Sequence, residues 1–190
     1  MGLLRREIAK RRKLIREGEW KFTWIYPMYL FEEDDQGKLT YGHHPFTSPW
    51  PQDMHLIDTQ PYGVRARAYD CVVNGLEIAG GSIRIHDRAL QERVFEILGM
   101  SRERIHEQFG HLLDAFEYGV PPHGGIASGL DRLMMAMNGT DNIRDVVPFP
   151  KTQSHQDLML GAPSEVDPEL LKELHIQVVP PDKSDKTSGR

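Results

Sequence analysis

The stretch YDCVVNGLEIAGGSIRIHD, residues 69–87, decides the fold. Asn74-Gly75 stands between two strand-like runs, Val64 to Val73 and Leu76 to His86. Asn followed by Gly tolerates the positive φ angles of a two-residue turn, so the pair predicts an antiparallel hairpin. In a regular register Val73 faces Leu76, Val72 faces Glu77 and Asp70 faces Ala79. Asp70 and Glu77 are then diagonal neighbours on one face. Two carboxylates that close repel unless a cation or a shared proton relieves them. One or two carboxylates plus phosphate oxygens are the usual way to hold Mg²⁺. The competing reading is that both acids point into water and are screened.

Further along the second strand, Ser82, Arg84 and His86 alternate with Ile83 and Ile85, which puts the polar set on one face and the isoleucines in the core. Glu77 and Arg84 are an odd number of residues apart, so a regular strand sends them to opposite faces. One bulge at Ala79-Gly80-Gly81 reunites them, and glycines inside a strand commonly mark a bulge. The expectation is a single surface carrying Asp70, Glu77, Ser82 and Arg84.

A third strand and a helix follow in HGGIASGLDRLMMAM, residues 123–137. Leu130, Leu133, Met134 and Met137 repeat as one helix face, and Asn138-Gly139 is a stop signal. Gly124, Gly125 and Gly129 permit close approach of a flat ligand or another backbone. Arg132 falls in the first turn. A helix start favours anions, and the Arg fork matches phosphate or carboxylate. The alternative is an Arg paired with a surface acid, with glycines that merely turn the chain.

Outward from these blocks the signals are plainer. Leu3 to Arg16 reads as an amphipathic helix with Leu4, Ile8 and Ile15 on its apolar side. Its seven basic residues form a solvated face or a contact for RNA or an anionic surface. Trp20 to Glu32 reads as a buried strand or two, and Asp34-Asp35-Gln36-Gly37 as a turn. His43 and His44 precede Pro45 in an extended segment, with no Cys nearby to complete a metal site. Residues 45 to 61 read as a long loop, and such loops are often lids. Leu90, Val94 and Leu98 give another helix its stripe.

The chain has 190 residues and a net charge of −5, which fits one domain or part of a larger one and not a basic nucleic-acid module. A lone cysteine, Cys71, precludes an internal disulfide and fits a reducing compartment. No stretch is apolar enough to span a membrane. The opening MGLLRREIAKRRKL lacks the apolar core of a signal peptide. The fold expected is α+β. Strands lie near 22–31, 64–73, 76–86 and 123–128, and helices near 3–16, 88–98, 108–117, 130–137 and 167–173. Residues 180–190 read as a disordered tail.

HHPFT (43–47), the 69–87 block, PPHGGIASGLDR (121–132) and IRDVVPFPK (143–151) together resemble aspartyl-tRNA synthetase of the bacterial type. The likeness is to the C-terminal part of its class II catalytic domain, an antiparallel sheet flanked by helices; it runs from about residue 2 to residue 178 and implies a domain over residues 1–179. The resemblance implies ATP-dependent activation of aspartate to an adenylate, then transfer to tRNA. It makes Arg132, Glu77 and Arg84 the catalytic set. Arg132 holds the γ-phosphate, and Gly129, Leu130, Asp131 and Glu77 join it in the ATP site. Asp70 and Glu77 coordinate the Mg²⁺ that accompanies ATP. Arg84 pairs with the side-chain carboxylate of aspartate, and His43 and His44 close over that substrate. It also implies a cytoplasmic homodimer for the full enzyme.

The family's anticodon-binding barrel, its dimer-forming motif 1 and its motif 2, with the Arg that grips the α-phosphate, have no counterpart here. Ile25 stands where the family usually has Asp, Ala79 replaces a Gly, and Ser154-His155-Gln156-Asp157 is bulkier than usual. Those departures leave open a non-catalytic relative that binds a nucleotide or a partner protein, or an amide-forming ligase on the same scaffold.

Overall fold

A computed structural model describes residues 2–16 and 18–180. The chain divides into two compact units between Val146 and Val147. In the first unit, helix α1 (Gly2–Arg11) precedes β1 (Phe22–Ile25), β2 (Met28–Tyr29), β3 (Phe31–Glu33) and β4 (Leu39–Tyr41). Then come β5 (Arg65–Ala66), β6 (Ala68–Val73), β7 (Leu76–Ile83), α2 (Arg88–Ile97), α3 (Arg102–Phe116), β8 (Gly124–Ser128) and α4 (Leu130–Asn138). The second unit carries α5 (Pro168–Glu173). Of the expected tail, residues 181–190 lie outside the described residues.

The main sheet has the order β1-β6-β7-β8, with every pairing antiparallel. The Asn74-Gly75 hairpin forms as expected, with φ of 49° and 84° at the two turn residues. Asn74 also ties the turn to the segment before β1. Its Oδ1 accepts from Lys21 N at 3.0 Å and its Nδ2 donates to Glu19 O at 2.8 Å.

The expected strand over 22–31 is broken into β1, β2 and β3. Pro27 has no N–H to continue a ladder, and the chain leaves β6 there to pair Met28–Tyr29 with β5. Asp34 closes the β3–β4 turn by accepting at Oδ1 from the backbone N–H of Gln36 and Lys38, both at 2.9 Å.

Residues 45–61 are not a lid. Thr47, Asp53 and Ile57 are buried. Ser48 N donates to Ile83 O and Ile85 N to Phe46 O, so this segment runs along the end of β7 as an added partner. Trp50 Nε1 donates to Ala66 O at 3.0 Å, and Asp53 takes a two-pronged pair from Arg65 at 2.7 and 2.8 Å.

One core cluster gathers Leu30, Phe31, Ile57, Val64, Ala66, Ala68, Ile85 and Val94. A second joins Phe95, Ile105 and Leu113 with Phe46, Met100 and Phe109. There Phe95 and Phe109 stack with ring centroids 4.5 Å apart. Helix α3 begins six residues before its expected start, where Ser101 caps it by accepting from Arg104 N. Its first turn is Arg-Glu-Arg, which offers no apolar periodicity to read.

Helix α4 packs on β7 by a different side from the one expected. Met135 is its buried residue, while Leu130, Met134 and Met137 are exposed. The helix is apolar nearly all round, so periodicity alone does not choose its face. Gly139, at φ 65°, ends it where the stop signal stands. Helix α1 is shorter than expected, and within 3–16 it ends at Arg11 with no buried residue. Among the described residues, no helix is long and apolar enough to cross a membrane.

Candidate active site

The site is built on one irregularity. Val72 pairs with Glu77 but Cys71 pairs with Ala79, so Ile78 is an extra residue on β7. The expected bulge exists, but it begins at Ile78, ahead of the glycines. Asp70 therefore faces Gly80 and not Ala79. Ile78 and Ala79 are both buried, which is how a bulge turns two successive side chains the same way. Beyond it, Gly80, Ser82 and Arg84 fall on the face of Asp70 and Glu77.

Gly80 is the floor of the acidic pair. A Cβ there would stand 2.8 Å from Oδ1 of Asp70 and 3.6 Å from Oε1 of Glu77. The two carboxylates thus converge over bare backbone. The Asp70 carboxyl is pushed up from its ordinary value, first by burial and then by the charge of Glu77, while His43 and Arg132 draw it down. Among the described residues no three His, Cys, Asp or Glu side chains are grouped to hold a metal. Two convergent acids fit Mg²⁺ only with oxygens brought by water or by a phosphate ligand.

Arg132 reaches this pair from the first turn of α4. Its Nη1 lies 3.2 Å from Oε2 of Glu77 and donates to the Glu77 carbonyl at 3.1 Å. The acid-pairing alternative is thus seen directly, and the same guanidinium stands at the helix start where the anion-binding expectation placed it. Gly129 starts the helix with its N–H donating to Ile78 O at 2.8 Å, and no side chain caps the helix start. A cleft of about 280 Å³ lies between these elements, lined in part by Glu77, Gly129, Asp131 and Arg132. Leu130 is exposed and absent from that lining. A larger opening, about 760 Å³, lies elsewhere, between α1, the hairpin turn and the end of α4.

Farther along the same face, Arg84 meets His44. Nη1 is 2.7 Å from Nε2 and 3.2 Å from Nδ1 of the ring. Ser82 Oγ is 3.3 Å from Nε2, and Thr47 Oγ1 is 3.3 Å from both ring nitrogens. Burial, then the charge of Arg84, then that of His43, lower the His44 pKa. His43 is exposed and His44 is half-buried. The adjacent histidines thus differ in burial, and His44 is the one that meets the Arg.

Of the expected residues, Asp70, Glu77 and Arg84 share one sheet face, Gly129, Asp131 and Arg132 stand at the adjoining helix start, and His44 reaches Arg84 from the segment after β4, while Leu130 is not brought to the cleft. Two features went unread. Gly80 acts as the floor under the acids, a role that follows only from the shifted register. Thr47 lies in the segment expected as a loop, yet it is fully buried against His44. Its bridge to Arg84 was the missing signal.

A family model described as tRNA synthetases class II (D, K and N) matches residues 6–153. An aspartate–tRNA(Asp/Asn) ligase of Heliobacterium modesticaldum is 52% identical over 187 residues, 98% of this chain and 31% of that protein. One of Caldanaerobacter subterraneus is 55% identical over 179 residues, 94% and 30% respectively. The chain thus spans under a third of the length of these relatives. Among solved structures, an aspartyl-tRNA synthetase from Entamoeba histolytica superposes with a TM-score of 0.57 at 22% identity, covering 82% of this chain and 26% of that one. An asparaginyl-tRNA synthetase from Pyrococcus horikoshii gives 0.52 at 24% identity, covering 70% and 27%. At those identities the structural likeness speaks for the fold alone.

Proposed function

The chain belongs to the class II tRNA synthetases of the D, K and N group, and from that premise we propose that it is the part of an aspartate–tRNA ligase that holds the ATP polyphosphate, its Mg²⁺ and the aspartate side chain. The observation that carries this reading is the convergence of Asp70, Glu77 and Arg132 on one end of a sheet face that presents Arg84 farther along. Acids for a cation, a fork for a phosphate and a fork for a carboxylate are what activation of an acidic amino acid needs.

In the proposed reaction the α-carboxylate of aspartate attacks the α-phosphorus of ATP. The bond to the β-phosphate breaks, pyrophosphate leaves, and the aspartyl group passes from the adenylate to the terminal ribose of tRNA. This chain's residues bind and orient. Arg132 leaves Glu77 for the γ-phosphate, and Gly129 and Asp131, which line the cleft beside it, set the helix start against the nucleotide. Asp70 and Glu77 would hold the Mg²⁺, whose charge would neutralise the phosphate oxygens. Arg84 selects the side-chain carboxylate, and His43 stands over the same substrate. Positioning and charge are the main contributions to such a transfer. Neither step needs a protein nucleophile.

We further propose a homodimeric, cytoplasmic parent enzyme. The test is aspartate-dependent exchange of labelled pyrophosphate into ATP. It is run on this chain alone and on this chain mixed with the portion of the Heliobacterium relative that it does not match. Exchange in either reaction supports the reading. Binding of Mg·ATP without any response to aspartate in both favours a non-catalytic nucleotide-binding relative.

A further inference from the structure

His44 is faced by more donors than it can accept. The backbone N–H of Phe46 points at Nδ1 over 3.2 Å, and Arg84 Nη1 lies 2.7 Å from Nε2. A neutral imidazole has one acceptor nitrogen and an imidazolium has none. The peptide and the guanidinium therefore compete for a single lone pair. Thr47 and Ser82 sit within 3.3 Å to take the ring's own N–H from either nitrogen, and both residues are buried.

The ring's mounting is fixed. Phe46 is edge-on to Phe95 and Phe109. The carbonyl of Pro45 accepts from Gln91 Nε2 at 2.8 Å, and Ile85 N donates to the Phe46 carbonyl. The movable partner is the long side chain of Arg84.

We propose that His44 is a positioning residue for Arg84 and not a ligand of the amino-acid substrate. In the ligand-free site Nε2 holds the guanidinium and Nδ1–H donates to Thr47. When a substrate carboxylate draws the guanidinium away, the ring proton exchanges through water from Nδ1 to Nε2. Nε2–H then donates to Ser82, and Nδ1 accepts the Phe46 N–H that had no partner before. The ring stays neutral throughout, so no net charge is gained or lost.

Burial, then the guanidinium of Arg84, then the neighbouring His43 all oppose a positive charge on the ring. A side-chain carboxylate competes for the guanidinium with charge and two oxygens, whereas a neutral amide offers one acceptor. The inference rests on the proposed function, which supplies the carboxylate.

The experiment is ¹⁵N NMR of the full chain with labelled histidine. Ligand-free protein is expected to show His44 as the Nδ1–H tautomer, titrating below the ordinary value of about 6.5. L-Aspartate with Mg·ATP converts it to Nε2–H, and L-asparagine does not. Arg84→Met produces the Nε2–H form without ligand, a change of tautomer that a ring set only by its peptide and hydroxyl partners does not show. Ser82→Ala leaves both charges in place and weakens the aspartate-driven conversion severalfold. It serves as the check if Arg84→Met disturbs folding.

An unchanged tautomer in folded Arg84→Met overturns the proposal. Aspartate-dependent shifts elsewhere in the spectrum with His44 unmoved overturn it while leaving the functional reading intact. No aspartate-dependent shift at any resonance, in the chain alone and in the chain mixed with the portion of the Heliobacterium relative that it does not match, overturns both.

Discussion

Arg132 and Glu77 hold each other through an ion pair of 3.2 Å and a bond of 3.1 Å from the same Nη1 to the Glu77 carbonyl. The side chains are 46% and 49% exposed, so the ion pair contributes only about 0–1 kcal/mol to stability. Its consequence is for binding, because the same two groups are proposed to engage the γ-phosphate and the cation.

Removing the Arg isolates the phosphate contact. Arg132→Ala is expected to lower Mg·ATP affinity at least tenfold, since a charge-assisted bond is worth about 1.5–3 kcal/mol. The melting temperature should scarcely move. Calorimetric titration checks this, and an unchanged affinity refutes the γ-phosphate role.

Glu77→Gln should split metal from nucleotide. It frees the guanidinium and removes one carboxylate from the cation site. ATP without Mg²⁺ is then expected to bind more tightly than to the parent chain, while the gain on adding Mg²⁺ shrinks. Paired titrations with and without a chelator read both effects.

Arg84→Ala is expected to spoil aspartate recognition more than ATP binding, because Arg84 faces His44 and Arg132 faces Glu77. Separate titrations of the two ligands rank the losses, and the opposite ranking counts against a specificity role.

Local chemistry made much of this site readable. Asn-Gly forced the hairpin, and the odd spacing of Glu77 and Arg84 required a bulge. The Gly pair suggested where the bulge would lie, but it formed at Ile78, where an apolar extra residue could be buried. A strand's own pattern cannot show that choice, because it is made by what lies beneath the sheet. The same holds for α4: with apolar residues on several sides, its contact with β7 selected Met135. Residues 45–61 carry no period at all. They are ordered by long-range pairs, such as Asp53 with Arg65 and Thr47 with Arg84, which only the closed fold brings together.

Asp53 gives that segment a pH signature. Hydrogen bonds from the Arg65 side chain hold its carboxyl at about 2, against the opposing effect of burial. In the unfolded chain an Asp titrates near 3.9. Between those values the unfolded chain binds the proton and the folded chain does not, so protons favour unfolding. The contribution is fully present above about pH 4 and is lost as the pH falls towards 2. Urea midpoints measured across that window should fall more steeply for the parent chain than for Asp53→Asn. Parallel curves would remove Asp53 from the account.

The two strand glycines should fail in different ways. Neither adopts a left-handed φ, so each substitution acts through space. At Gly81 a Cβ would stand 2.0 Å from the Gly125 carbonyl oxygen and 2.9 Å from Ile126 Cα. Backbone on a paired strand cannot yield without opening β7 from β8, so Gly81→Ala is expected to cost about 1–3 kcal/mol or more. At Gly80 the nearest atom is Oδ1 of Asp70 at 2.8 Å, the end of a side chain that can rotate away. Gly80→Ala is therefore expected to melt near the parent temperature and to lose Mg²⁺-dependent ATP affinity, as the acid is pushed off its partner. Thermal melts and Mg²⁺ titrations at fixed ATP on both variants give the comparison. A Gly80→Ala protein that keeps full Mg²⁺ dependence would show that Asp70 and Glu77 do not need to meet over that glycine.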